Sequence, residues 1–313
     1  MSATATIRVA ERTAPAVDTE RGHRIRLRLL YVLAIVSNLA IFIYGFDYYK
    51  LSAVDRPFSP KHHMLRPSGP IGLYLGFIGV ALFVGIFLYP IRKHWAWLGQ
   101  IGKTRHWLDI HVLMGLTAPF IIAFHSTLKF RGIAGMAFWI MFAVSASGVV
   151  GRYLYAQIPR RVTTVELSMK ELQDLQESLS QQLTAQRLLP EADLRALLRM
   201  PNAQQVARLP IPIALVYMMI LDMIRKFGVA RLRRHASGES FATLFGFVPT
   251  KHRELEKAIQ AAAEEAALSK RLLFLSRSQK VFHAWHVIHK PFSYAFAVLA
   301  LLHIGLQFVL GYF

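Results

Sequence analysis

Residues 107–128 read WLDIHVLMGLTAPFIIAFHSTL, and the run carries a single formal charge, Asp109, near its start. Its length and apolarity are what a helix needs to cross a hydrocarbon layer roughly 30 Å thick. His111 and His125 stand fourteen residues apart within it, and the last apolar stretch of the chain repeats that spacing with His289 and His303. On an α-helix fourteen residues turn through roughly 1400°, about 40° short of four turns, and rise about 21 Å. Each pair therefore projects from one face of its helix, one ring toward each side of the layer. Two such helices side by side present two facing imidazole couples.

The rest of the chain has the same character. Hydrophobic residues make up 54% and charged residues 18% of the chain, with a mean hydropathy of +0.35, far from a soluble average. Leu29–Phe46 is apolar apart from Ser37 and Asn38, Pro67–Ile91 is uncharged, Gly132–Gly151 is uncharged between Arg131 and Arg152, and Pro291–Phe313 is uncharged to the end. With Trp107–Leu128 these predict an all-α integral-membrane bundle of five spans. The expected layout is an N-terminal tail over 1–26, spans one to four over 27–155, a helical insert over 156–282 and the fifth span over 283–313. The run after the polar tail is too long for a signal-peptide core and reads as a retained span. The absence of cysteine excludes disulfides, cysteine-ligated iron–sulfur clusters and covalent c-type haem attachment within this chain.

Orientation follows from Lys and Arg near the span ends. One side gathers Arg21, Arg24, Arg26, Arg28, Arg92, Lys93, Lys103, Arg105, Arg152, Arg160, Arg161, Lys170, Lys270, Arg271, Arg277 and Lys280; the other holds only Lys50, Arg56, Lys61, Arg66, Lys129 and Arg131. The larger group is expected in the cytoplasm with the N-terminus and the insert, and the C-terminus in the periplasm of a bacterial inner membrane. His111 and His289 then fall at the cytoplasmic ends of their spans, and His125 and His303 toward the outer side. The net charge of +19 flanks the spans, where anionic lipid and topology account for it, so no nucleic-acid partner is expected.

In the insert, Val165–Leu188 carries leucines at 167, 172, 175, 179 and 183 and reads as an amphipathic helix. Pro190 suits the first turn of a second helix, through about Met200. Leu209–Ile224 is apolar but short, contains Pro210, Pro212 and Asp222, and is followed by Arg225 and Lys226. It is expected to lie at the membrane interface or to pack beneath the bundle. Arg253–His289 has few helix breakers and is expected to run into the fifth span.

Histidines embedded in a membrane are a functional signal because burying an ionisable group is costly, and imidazole nitrogen is a common axial ligand of haem iron. The four histidines thus predict two haems stacked across the bilayer. Gly115, Ala118 and Ile122 share the face of His111 and His125; their small size would admit a porphyrin edge, though it also serves helix packing. On the fifth span the face reads His289, Ser293, Phe296, Ala300 and His303, with Phe296 midway. His286 and His283 compete with His289, but His286 is roughly 100° off the face of His303. His23, His62, His63, His94, His106, His235 and His252 read as surface residues. Candidate propionate partners are Lys103, Arg105 and Lys290 on the inner side and Lys129 and Arg131 on the outer side.

The motifs His111-Val-Leu-Met-Gly with His125, and His289-Lys-Pro-Phe with His303, resemble the ferric reductase-like transmembrane domain shared with NADPH oxidases. The resemblance covers roughly 27–155 and 283–313. It implies that His111 pairs with His289 and His125 with His303 as ligands of two haems b, and that Phe296 falls near an aromatic found between the haems in some relatives. The chain departs from that pattern in having no sixth span, no flavin or nicotinamide domain after the last span, and an insert before the fifth. Quinone-linked respiratory b cytochromes have the same spacing. The expected function is a membrane di-haem b cytochrome. It would carry electrons between a separate cytoplasmic flavin or iron–sulfur protein and a periplasmic redox protein, a metal ion or a quinone. The alternatives are a quinone-reactive cytochrome b subunit of a larger oxidoreductase and a haem-free membrane anchor. Asp109 is the only acid within the spans, which disfavours a transporter.

Overall fold

The structure is a computed structural model that describes residues 14–158, 177, 189, 191–199, 201, 206, 208–237, 246–250 and 252–311. Among these residues there is no strand. Helix α1 is Ala14–Tyr49; a 3-10 turn, Arg56–Phe58, and a short helix α2, His62–Leu65, lead to α3, Pro70–Ile91. A short α4, Ala96–Gly99, precedes α5, Thr104–His125, and α6, Gly132–Gln157. Then come α7, Glu191–Leu198, α8, Ile211–Ser237, and α9, Arg253–Val309. Five helical stretches are long and apolar enough to cross a bilayer: Glu20–Tyr49, His62–Ile91, Thr104–His125, Gly132–Gln157 and Arg277–Val309. The protein is an all-α integral membrane protein. The amphipathic helix expected over 165–188 lies, Glu177 apart, outside the described residues.

The chain divides into two units, residues 1–149 with 289–313, and residues 150–288. In the first, α3 and α5 pack antiparallel, and a buried arginine ties the chain at each end of the pair. Arg92 donates to the Gly99 and Gly102 carbonyls at 2.7 and 2.9 Å and to Thr104 Oγ1 at 3.0 Å. Arg56 donates to the carbonyls of Tyr49, at 3.0 Å, and Leu51, at 3.1 Å, and to that of Thr127. Thr127 and Leu128 have φ of 51° and 58°, a left-handed conformation that non-glycine residues rarely hold without external bonds. α5 therefore stops at His125, short of the Leu128 expected from hydropathy.

The second unit has a helical core of its own. Val206, Ala214, Met218 and Phe274 form one buried cluster, and Leu197, Leu232, Ile259, Ala262 and Ala266 another. Two ion pairs lie beside them, Arg233–Glu256 buried and Lys270–Asp222 partly so. Glu256 accepts from Arg233 Nε and a second guanidinium nitrogen at 3.1 and 2.8 Å and from the Thr250 N–H at 3.1 Å. Burial works to raise this carboxyl, but Arg233, the Thr250 N–H and Gln260 together hold Glu256 below its ordinary value. Asp222 accepts from Lys270 at 2.5 Å and from Tyr153 at 2.7 Å. It too is held low against the pull of burial, while burial pushes the Lys270 ammonium down. From Ile211 on, the Leu209–Ile224 stretch belongs to α8, one of whose faces lies in this core; α8 is not among the candidate spans.

Candidate functional site

α5 places both of its histidines against the backbone of α3. His111 Nδ1 lies 3.0 Å from the Ile86 carbonyl oxygen, and His125 Nδ1 lies 2.8 Å from that of Gly72. Ile86 and Gly72 are also fourteen residues apart, so the two antiparallel helices present matched pairs at the same two levels. A carbonyl oxygen only accepts, so each Nδ1 carries the proton and each Nε2 carries the lone pair. Tying the far ring nitrogen to a carbonyl is the arrangement that orients a metal-ligating histidine and raises its basicity.

The sequence of α3 makes these contacts available. The Ile86 carbonyl would normally accept from the N–H four residues on, but that residue is Pro90, inside the helix, which has none. The orphaned acceptor is the one His111 satisfies. α5 repeats the device: Pro119 leaves the Gly115 carbonyl without its helical donor, and Ser145 Oγ on α6 donates to it at 2.6 Å. Glycines on α3 permit the approach of α5. A Cβ on Gly76 would meet His125 Cε1 at 2.9 Å and Nδ1 at 3.0 Å, one on Gly85 would meet Met114 Sδ at 2.6 Å, and one on Gly79 would collide with Ile122.

The last span supplies the other two histidines. His289 Nδ1 is 2.8 Å from Ser147 Oγ, whose own proton goes to the Val144 carbonyl at 2.8 Å. With the serine proton on Val144, its oxygen accepts and the His289 proton sits on Nδ1. His303 stands fourteen residues further on, on the same face of the span, and is half-buried. Phe296, midway along the span, meets Phe83 edge-on at 5.7 Å between centroids and packs against the cluster of Ala118, Phe138 and Met141. It therefore separates the two histidine levels with packed side chains.

These residues fit a pair of haems on three counts. The Nδ1 anchors leave the lone pairs on Nε2. His289, Ser293, Phe296, Ala300 and His303 form a stripe of half-buried residues on the last span, none fully packed over. A Cβ on Gly115, one turn from His111, would meet nothing within 4 Å, so there is open space beside it. Among the described residues no three His, Asp or Glu side chains gather as a metal-ion site, and a haem would need only one imidazole from each of two helices to hold it.

The flanking cations behave differently from one another. Lys103 is 2.8 Å and Arg105 3.9 Å from Glu20 of α1, so both are engaged by a carboxylate of the protein. Lys129, Arg131 and Lys290 are exposed. His286 bonds its Nδ1 to its own helix, at Phe282 O, 3.1 Å away, and its ring meets Phe282 and Trp285.

The expectation of surface histidines fails at several positions. His23 is buried, 3.2 Å from Asp109 Oδ2, and stacks on His106 with centroids 3.6 Å apart. The lone acid of the spans is thereby paired to α1. His62 is half-buried and bonds to Tyr48 at 3.1 Å, whereas His235, 2.6 Å from Asp193, is exposed as expected. Compared with known protein families, curated proteins and solved structures, the chain finds no match.

Proposed function

We propose that this protein is a membrane di-haem b cytochrome that passes electrons across the bilayer, with His111 and His289 holding one haem and His125 and His303 the other. The observation that carries this reading is the matched register. Two histidines fourteen residues apart on α5 have their Nδ1 protons bound by two carbonyls fourteen residues apart on α3. Ordinary interior histidines need one hydrogen bond each, and nothing in that need requires them to share a face, a spacing and a tautomer. When bound, haem supplies the reversible Fe(II)/Fe(III) couple.

The chain's own contribution is orientation and insulation. The Ile86, Gly72 and Ser147 oxygens hold three imidazoles by Nδ1. Phe296 with Phe83, Phe138 and Met141 fills the layer between the levels and excludes water there. Electrons would arrive from a separate cytoplasmic flavin or iron–sulfur protein and leave to a periplasmic redox protein, a metal ion or a quinone, or travel the reverse way. The N-terminus would lie in the cytoplasm by the Lys/Arg asymmetry.

The test is a dithionite-reduced minus oxidised absorbance spectrum of the purified chain, with haem quantified per polypeptide. Two b-type haems per chain are expected. None, from cells that supply haem to another b cytochrome expressed alongside, would leave a membrane anchor as the reading.

A further inference from the structure

α8 is apolar nearly all round in its first four turns, yet the described residues of the second unit cover only one side of it. Ala214, Met218 and Leu221 face the core around Phe274. Ile213, Val216, Ile220, Met223, Ile224 and Phe227 fall on a separate arc of about 100° and are 41–58% exposed. An apolar stripe of that length on a helix that is not a candidate span needs a cover. Arg231 and Arg234 continue the same arc beyond Phe227, while Arg225 and Lys226 lie within its length but off the arc.

A cavity of about 290 Å³ adjoins this stripe and shares Ile224 and Phe227 with it. Arg199, Arg225, Arg231 and Lys270 also line it, with Asp193 as the one carboxylate in the lining. Arg225 and Lys270 bind Asp222, and Arg231 binds Asp193 at 3.0 Å, so the cations still outnumber the two acids by two. Excess positive charge opening onto an apolar face is the chemistry of an anionic amphiphile site.

We propose that α8 lies on the bilayer surface, with its Ile213–Phe227 stripe at the headgroup–acyl boundary and its basic end, including the cavity, holding anionic lipid headgroups. A bilayer is the occupant at hand, because both ends of the second unit continue within helices that are candidate spans, α6 and α9. A second copy of the chain carries the same excess of positive charge, net +19, and offers little to neutralise it, whereas anionic headgroups do.

The chain has no cysteine, so single labels are clean. Val216→Cys and Ile220→Cys, with Glu264→Cys on the exposed face of α9 as the control, would each carry bimane. The full chain would be placed in phosphatidylcholine vesicles with and without phosphatidylglycerol. Brominated acyl chains are expected to quench the labels at 216 and 220 and spare the one at 264. Phosphatidylglycerol should strengthen the quenching, and R231Q/R234Q should raise the phosphatidylglycerol fraction needed for half of it severalfold, since each surface charge contributes roughly fivefold. Absence of quenching at both positions would overturn the proposal, as would disulfide cross-linking of two chains through 216 or 220 in its place. Quenching indifferent to phosphatidylglycerol would overturn the headgroup site. The labels report lipid contact whether or not haem is bound.

Discussion

In the first unit the polar groups held away from solvent are tied largely to main-chain carbonyls, as with Arg56, Arg92, His111 and His125. In the second, two such sites are matched as acid and base, Arg233 with Glu256 and Lys270 with Asp222. The difference has chemical consequences. A carbonyl partner leaves an imidazole neutral and assigns its tautomer, so one nitrogen stays available as a ligand. A carboxylate partner consumes the charge of its cation and leaves nothing to coordinate with. His23 with Asp109 follows the second pattern inside the first unit, and it stands away from the face that carries His111.

The sharpest way to break this contrast is to remove the imidazoles. On the proposed reading, His125→Ala or His303→Ala abolishes one of two haems, and His111→Ala or His289→Ala abolishes the other, each by haem per chain and the difference spectrum. Full retention of both haems in any of the four variants would remove that residue from the ligand set.

Breaking the acid–base pattern of the second unit should act on folding. Arg233→Ala leaves Glu256 buried without its cation, at a cost of about 3–5 kcal/mol, read as lower thermal stability and faster proteolysis in 209–280. The same pair sets an acid limit. The folded carboxyl of Glu256 is below its ordinary value of 4.5. Its contribution is therefore present above that value and is lost as pH falls through the lower, folded one. Glu256→Gln should flatten this acid limb in a pH series of melting curves; an unchanged limb would assign it to other groups.

Gly76→Ala is a gentler probe of the first unit. The new Cβ would press on the His125 ring, which has little freedom to retreat while Nδ1 bonds to Gly72. Disturbing such an outer-shell contact typically weakens metal-group affinity by 10–100-fold. The expected result is partial loss of the His125/His303 haem, recovered with added haem, and no change at the other level. Equal loss at both levels would mean that the substitution acts on helix packing as a whole.

How much of this was legible in the sequence differs between the two sides of the site. The spans are written in charge-free runs, and the histidines in a spacing that a helix converts directly into a shared face. Their partners are main-chain oxygens, which have no side-chain signature; only Pro90, four residues after Ile86, marks one of them indirectly. Ser147 was hidden for a different reason, since a serine in a membrane helix commonly bonds its own backbone and its second role depends on which helix lies opposite. The burial of His23 was invisible because it requires α1 to begin well before the apolar run at Leu29, as the helix from Ala14 does. α8 was misjudged in length, because Asp222 and Arg225 look like interruptions until Lys270 is seen to match the acid.

Pro90→Ala is the smallest of these changes and the most selective. It removes a residue worth roughly 3 kcal/mol of helix propensity, so α3 should become more stable. It also restores an N–H that competes with His111 for the Ile86 carbonyl. A weaker Nδ1–H bond makes the imidazole a poorer donor to iron, which favours Fe(II). The His111/His289 haem should therefore shift to a more positive midpoint potential in a redox titration, while the His125/His303 haem, whose Gly72 anchor keeps its ordinary helical partner, stays where it was. A shift in both, or in the second alone, would show that the proline acts on the shape of α3 and not through the one carbonyl it frees.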